Sequence, residues 1–506
     1  MFLTTAGATS LIALLGIVVF ATGLANPFQG DDTEQITGNP VVHSLAHIVT
    51  FFQSGTFYTG HAMALYGPWY RPLETTIYSL VYVLFGPHPI YFHVLQLIIY
   101  IAADILLYLF LRYAMGPTLS LIVSLIFLVH PLNSQVVFAI PSMADVLFFF
   151  FGVLALWLLT RFQSKTSLLL VVTSLLLALL SKETAIVFVV LALLYLWLFN
   201  RERLLAFIGA LSLPLAVYIA LRTHAVGLAT NPISAPIDNL SLLGRLLTAP
   251  SLVLFYLSKF IFPWKLATGY YWVYPTFSIY HVLLPAVVDL ALLGIMGYGA
   301  FIIHRRGSQV AYRYYLFFAA WTILGILPYL QIVPLDFTAC ESWFYCSMAG
   351  LLGMVGAVLH SYRVQSKWLV IIAACVIAVL AFRTAMRGLD WKDPSSLADM
   401  DITNSPQDYI AASAVASQAY GERSYYLAQY WATQSVQVFP NSAAYTTLAN
   451  SLSLEGEPVA AAKALRQGIL DEDNLVCHFS PNECQGIARQ ERLLRLATRA
   501  PGVYLK

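Results

Sequence analysis

Long apolar runs dominate this chain, and short polar turns separate them. Stretches able to cross about 30 Å of hydrocarbon fall near residues 7–25, 89–113, 116–131, 143–161, 166–181, 184–200, 204–222, 282–304, 314–331, 344–361 and 367–383. The runs at 116–131 and 166–181 are short. Together they predict an all-α polytopic membrane protein with about eleven transmembrane helices. The stretch 72–86 is also apolar, but it is framed by Arg71-Pro72 and by Gly86-Pro87-His88-Pro89. It is too short for a span and reads as an interfacial or partly inserted helix.

The charges in the turns test this layout. With the N-terminus inside, the inner turns hold Arg112; Arg161 and Lys165; Arg201 and Arg203; Arg305, Arg306 and Arg313; Arg363 and Lys367. Every one is basic. Counting 72–86 as a full span would reverse the rest of the chain and put the basic turns outside. The layout with 72–86 on the surface therefore stands, and it sends most of the unusual polar residues to the outer face. Those are Asp31-Asp32, Tyr70-Arg-Pro-Leu-Glu74, His130-Pro-Leu-Asn-Ser-Gln135, Asp145, Ser181-Lys-Glu183 and Glu341-Ser-Trp-Phe-Tyr345. The expected location is a multi-pass cell (inner) membrane protein with its active site and C-terminal region extracytoplasmic.

Composition narrows the class. Hydrophobic residues make up 59% of 506, charged residues only 10%, and mean hydropathy is +0.73. A net charge of +2 gives no reason to expect a nucleic-acid partner. The first apolar run lacks the basic segment of a cleavable leader and reads as a retained span. Cys375 lies inside an apolar run, while Cys340 with Cys346 and Cys477 with Cys484 bracket short polar segments. In an oxidising compartment the last pair is a candidate disulfide, with free thiols the equal alternative.

Two outer segments are long, 26–88 and 223–281. The first carries His43, His47 and His61, and residues 40–54 read as an amphipathic interfacial helix. The second contains Gly269-Tyr-Tyr-Trp-Val-Tyr-Pro275, an interfacial aromatic belt or, as the sharper option, a sugar-stacking or lipid-tail surface. From about 384 the chain becomes rich in Ala, Ser and Gln. Asn441 to Asn474 fits one helix-turn-helix unit, with Ala449 and Ala461 where two helices approach, and resembles a tetratricopeptide repeat. The expected division is a membrane domain at 1–383 and a helical outer domain at 384–506.

Asp31 and Asp32 are adjacent carboxylates at the lip of the first span, costly to hold near lipid. No Walker loop and no glycine-rich dinucleotide turn is present. An outward acidic pair with outward cations suggests transfer from a lipid-borne donor. Such a transfer needs a carboxylate to take the acceptor proton and cations to bind the leaving phosphate. Asp32 or Asp31 supplies the first, Asp32 by slight preference; Arg71 and Lys182 supply the second. Glu183, Glu341, Asp145 and His130 are supporting candidates. Each also has a plain structural reading: an interfacial anchor for Arg71, an end-of-span ion pair for Lys182 and Glu183, a helix N-cap for Asp145 and a capping group for His130. Glu341 is a candidate to orient Arg71 or another cation.

These segments, in order, resemble the TMTC family of membrane O-mannosyltransferases with tetratricopeptide tails, relatives of the protein O-mannosyltransferases. The matching segments are Asp31-Asp32 with Gly38-Asn39-Pro40, Tyr70-Arg-Pro-Leu73, His88-Pro-Ile-Tyr-Phe-His93 and His130-Pro-Leu-Asn-Ser-Gln135. They continue with Ser142-Met-Ala-Asp145, Ser181-Lys-Glu183, Glu341-Ser-Trp-Phe-Tyr345 and Asp390-Trp391. The resemblance implies the GT-C fold and a polyprenyl-phosphate-linked sugar donor. It also implies inversion at the anomeric carbon and an acceptor that is a protein or an envelope glycan. Met143 and Ser342 stand where the family tends to have Arg, so mannose is not to be assumed, and neither is a protein rather than a glycan acceptor. Some enzymes of this fold use a divalent ion, which makes Asp31 or Asp32 with a first-loop histidine a candidate metal set, without the tight ligand spacing that would support it. Alternatives from the same residues are glycosylation of an envelope lipid or polysaccharide, a lipid-linked-glycan transporter, and a scaffold acting through its tail. A transporter would place its ionisable groups near the midplane, and here they gather at one face.

Overall fold

The computed structural model describes residues 4–60, 69–161, 164–227, 235–363 and 367–475. Among them there is no β-strand, only one antiparallel bridge between Tyr270 and Ala339. The chain runs through α1 (Thr5–Phe20), α2 (Ile48–Phe51), α3 (Pro72–Phe85), α4 (Pro89–Val129), α5 (Ser134–Phe138), α6 (Met143–Leu159) and α7 (Lys165–Ser181). It continues through α8 (Ile186–Phe199), α9 (Leu204–Val226), α10 (Leu242–Ile261), α11 (Leu284–Arg306), α12 (Gln309–Ile326), α13 (Tyr345–Ser361) and α14 (Lys367–Asp390). Eight helical segments among the described residues are long and apolar enough to cross a membrane, and α3, α7 and α8 are shorter apolar helices. The protein is an all-α, multi-pass membrane protein.

α4 is two arms in one element. At Gly116 the backbone turns into the left-handed region (φ 76°), which glycine adopts without a Cβ penalty, and Pro117 opens the second arm. Tyr100 donates its hydroxyl to the Leu128 carbonyl at 2.7 Å, and Ser124 to that of Asp104 at 3.2 Å. The arms therefore lie antiparallel, and the apolar runs at 89–113 and 116–131 are those two arms. Phe127, Phe149, Tyr345 and Trp321 pack as rings in the core between α4, α6, α12 and α13. α12 and α13 approach closely because Gly325 and Gly350 leave no side chain between the backbones. A Cβ on Gly350 would stand 2.5 Å from the Thr322 nitrogen.

One expectation changes. Residues 40–54 do not form one helix. Asn39 Oδ1 accepts from Val41 N and Ser44 Oγ from Ala46 N, which starts a 3-10 turn at Leu45 that passes into the single turn of α2. Val42 is instead buried with Ile36 and Tyr78 beneath the loop. The helix that carries the last apolar run is longer than the run itself, because α14 continues past 383 to Asp390. Arg383 donates to the Trp264 carbonyl of the loop after α10 and Arg387 to Asp390 of its own helix, so the charges that close the apolar run find partners.

Beyond α14 come α15 (Pro394–Asn404), α16 (Tyr409–Gly421), α17 (Tyr425–Val438), α18 (Ser442–Leu454) and α19 (Pro458–Leu475). They pack through small side chains: Ala416, Ala432 and Ala444 form one buried cluster, and Ala449, Ala461 and Ala464 another. Tyr271 of the second long loop meets Tyr409 and Phe439, and Asn404 donates to the Leu266 carbonyl at 2.9 Å. The tail thus rests on the same end of the bundle as the loops. Cys340 and Cys346 are free and buried, and Cys375 is free and exposed. His61, Cys477 and Cys484 lie outside the described residues.

Candidate active site

The loop after α1 is held at both ends. Asn26 Nδ2 donates to the Gly388 carbonyl at 3.3 Å and Gln29 Nε2 to that of Trp391 at 3.0 Å, which ties it to the end of α14. Gly30 turns the chain with φ 59°. The Gln29 N–H then donates to Asp32 Oδ2 at 2.7 Å, closing a turn that separates the two aspartates. Asp32 is buried and its Oδ1 has no partner, whereas Asp31 is exposed. Burial pushes Asp32 up to about 8, against the pull of the Gln29 N–H and with a further push from Asp31. Asp31, although exposed at the surface, is crowded by neighbouring protein atoms that strip part of its hydration. That loss, then the charges of Asp336 and Glu34, raise it to about 6, while Arg71 pulls it down.

Arg71 immediately precedes α3, whose first residue is Pro72. Its guanidinium lies 3.7 Å from Glu183 and 3.9 Å from Glu74, both loose ion pairs, and its Nε is buried without a hydrogen-bond acceptor. Each glutamate spends its Oε1 on other donors and turns its Oε2 toward Arg71. Glu183 accepts from Tyr70 N at 2.6 Å, and Glu74 from Ala144 N at 3.0 Å and the Tyr78 hydroxyl at 3.2 Å. Burial works against the charge on Arg71, but Glu183, Glu74, Asp145 and Asp336 more than offset it and hold the group firmly protonated. Lys182 sits where α7 ends, and its ammonium meets Asp145 Oδ1 at 2.7 Å, both side chains buried. Its charge is largely spent on that partner.

Asp31, Arg71, Lys182, Glu183 and Asp145 therefore gather at one end of the bundle. Two further members escaped the sequence reading. Glu74 lay in view, three residues after Arg71. Asp336 is within electrostatic reach of Arg71, Asp31 and Lys182, and burial raises its carboxyl while Arg71 opposes this. The available signal was that Asp336 is the sole charged residue between Arg313 and Glu341.

Glu341 and His130 are engaged elsewhere. Glu341 accepts from Ala267 N at 2.7 Å and the Tyr270 hydroxyl at 2.9 Å, so it does not orient Arg71. The cations near it are Lys259 and Arg387, the latter buried and bonded to Asp390 at 3.0 Å, with Asp401 at 3.8 Å, so of the two expected roles the one toward another cation remains. Asp401 also accepts from Thr268 N at 3.0 Å and from the Thr268 hydroxyl. His130 Nδ1 accepts from Leu132 N, and its Nε2 sits 3.0 Å from the Phe260 carbonyl over a stacked ring. Of the positions where the resemblance has Arg, Met143 is fully buried, and the Ser342 N–H donates to Gln135 Oε1 at 3.2 Å.

Among the described residues no three His, Cys, Asp or Glu side chains converge as a metal site. His43 stacks on Tyr82 at 3.9 Å and contacts the Ile36 carbonyl at 2.9 Å, and His47 is exposed.

No family model matches the chain. Over 152 residues, 29% of its length, the chain is 30% identical to protein O-mannosyl-transferase TMTC1 of Homo sapiens; over 134 residues it is 27% identical to TMTC3 of Homo sapiens. The matched segments span only 17% and 15% of those two proteins. Among solved structures, one similar chain is ArnT from Cupriavidus metallidurans bound to undecaprenyl phosphate, at 14% identity and a TM-score of 0.38, covering 90% of this chain and 79% of that one. Another is the Archaeoglobus fulgidus oligosaccharyltransferase tethered with an acceptor peptide, at 13% identity and 0.38, covering 87% and 59%. Over its matched segment, the chain is a sequence relative of the protein O-mannosyl-transferases TMTC1 and TMTC3.

Proposed function

We propose that this chain is a membrane glycosyltransferase of the GT-C type, moving a sugar from a polyprenyl-phosphate donor to an acceptor hydroxyl on the extracytoplasmic face. The observation that carries the reading is Asp31, an open carboxylate, in the electrostatic neighbourhood of Arg71, a firmly protonated arginine with an unused buried N–H. Asp31 takes the proton of the acceptor hydroxyl. The oxygen attacks the anomeric carbon, and the bond from that carbon to the phosphate oxygen breaks. Polyprenyl phosphate leaves with the electron pair, and Arg71 stabilises the charge that develops on it. A single displacement inverts the anomeric centre.

Lys182 plays a smaller part than its position in the sequence suggests, because drawing it onto a phosphate would strand Asp145. Asp32, protonated near neutral pH, shapes the loop and keeps a second negative charge away from Asp31. The resemblance to TMTC enzymes supports a protein acceptor, with mannose as the first sugar to test.

The test uses purified chain in proteoliposomes with a panel of polyprenyl-phosphate sugars, read by mass spectrometry of acceptor proteins and lipids. At least one donor is expected to be consumed, with Arg71→Gln slowing its transfer by about 10²–10³. Equal consumption by wild type and Arg71→Gln would remove Arg71 from the mechanism.

A further inference from the structure

At the end of the bundle opposite Asp31, the two arms of α4, the turn from α11 to α12, the end of α13 and the start of α14 enclose a cavity of about 840 Å³. Arg306, His360, Arg363 and Lys367 line it, and no acidic side chain does. Among the described residues, Arg306, Arg363 and Lys367 form no ion pair with an acid. The Lys367 ammonium lies 5.6 Å from the Trp368 ring, a loose contact.

The helices add to this field. The second arm of α4 begins at Pro117, and α12 begins at Gln309 behind Ser308, whose Oγ accepts from Ala311 N at 3.1 Å. Both present the positive end of a helix dipole to the cavity. The remaining wall is apolar, through Leu119, Leu359, Leu369 and Val370.

Basic turns alone would be the ordinary consequence of an inward-facing surface. Here the cations belong to two different turns, converge on one concavity, and have an apolar wall beside them. We propose that this cavity is a binding site for a phosphate group, with Arg306 and Lys367 as its principal contacts. The source is either an anionic phospholipid headgroup, whose glycerol and acyl carbons would lie on the apolar wall, or a free phosphate compound. The site lies at the far end from the proposed transfer chemistry, so its occupancy is read independently of catalysis.

The experiment compares thermal midpoints of the full chain in phosphatidylcholine nanodiscs, in nanodiscs with added phosphatidylglycerol, and in detergent with inorganic phosphate. Phosphatidylglycerol or phosphate is expected to raise the midpoint of wild type and of an Arg161→Gln/Arg201→Gln control at other basic turns. The Arg306→Gln/Lys367→Gln variant loses most of that rise. A response to phosphatidylglycerol alone assigns the lipid source; a response to phosphate alone assigns the free compound. If the double variant does not fold, Arg363→Gln is measured in its place. The proposal is overturned if the cavity variant keeps the full response, or if the control loses as much.

Discussion

Asp32 gives one carboxylate oxygen to the Gln29 N–H and buries the other without a partner, while Asp31 one residue earlier faces outward. The backbone turn at Gly30 accompanies this difference, and in the proposed reaction it separates the roles of the two aspartates. At neutral pH a carboxyl raised to about 6 is mostly ionised and able to accept a proton, while one raised to about 8 is mostly protonated. In the proposed reaction this favours Asp31 as the base, where the bare sequence leaned slightly to Asp32. Asp32 also links pH to stability. Its folded pKa lies above the ordinary 3.8, so the stability it contributes is complete below that value and is lost as pH rises through about 8. The thermal midpoint of wild type is expected to fall across this window, and that of Asp32→Asn to fall less. Parallel curves would show that Asp32 ionises freely in the folded protein.

Buried polar pairs and missing side chains fix how the helices meet. Lys182 and Asp145 join the end of α7 to the start of α6 at 2.7 Å, with side chains only 8% and 6% exposed. Lys182→Met leaves Asp145 buried and unpaired, at a cost of about 3–5 kcal/mol. Lys182→Met/Asp145→Leu removes both charges and is expected to regain most of that in thermal unfolding. A double variant as unstable as the single one would mean that the packing of the lysine stem, not the charge, holds the junction. Between α12 and α13 the contact at Gly350 is with the backbone of Trp321 and Thr322, which no rotamer change relieves. Gly350→Ala is expected to cost about 1–3 kcal/mol and to lower the thermal midpoint. An unchanged midpoint would mean the two helices slide apart freely.

On the scale of the whole molecule, hydropathy made the bundle legible, because each apolar run lies on a helix and polar turns separate the runs. It misjudged an element where hydrogen bonds outweighed periodicity, as Asn39 and Ser44 broke the expected helix over 40–54. The partners of Arg383 and Arg387 carry α14 beyond its apolar run. Of the site, Asp31, Arg71, Lys182, Glu183 and Asp145 were legible as charges at one end of the spans. Asp336 was not, because its being the lone acid of a short loop does not say that it lies within electrostatic reach of Arg71 across the fold. Glu341 was drawn into the same group by its position at a span end, but Ala267 and Tyr270 hold it elsewhere. The tail is bound to this end through Asp401 and Thr268 and through Tyr271 and Tyr409, so the proposed transfer site and the helices beside it form one surface.

The central claim is that Asp31 accepts the acceptor's proton. The most direct test is the pH dependence of transfer in proteoliposomes, measured as kcat/KM for wild type and Asp31→Asn. Wild-type activity should rise through a limb near pH 6 and then level, while Asp31→Asn should fall by about 10²–10⁴ and lose the limb. Full activity in Asp31→Asn, or a limb near pH 8 that disappears with Asp32→Asn, would contradict this assignment.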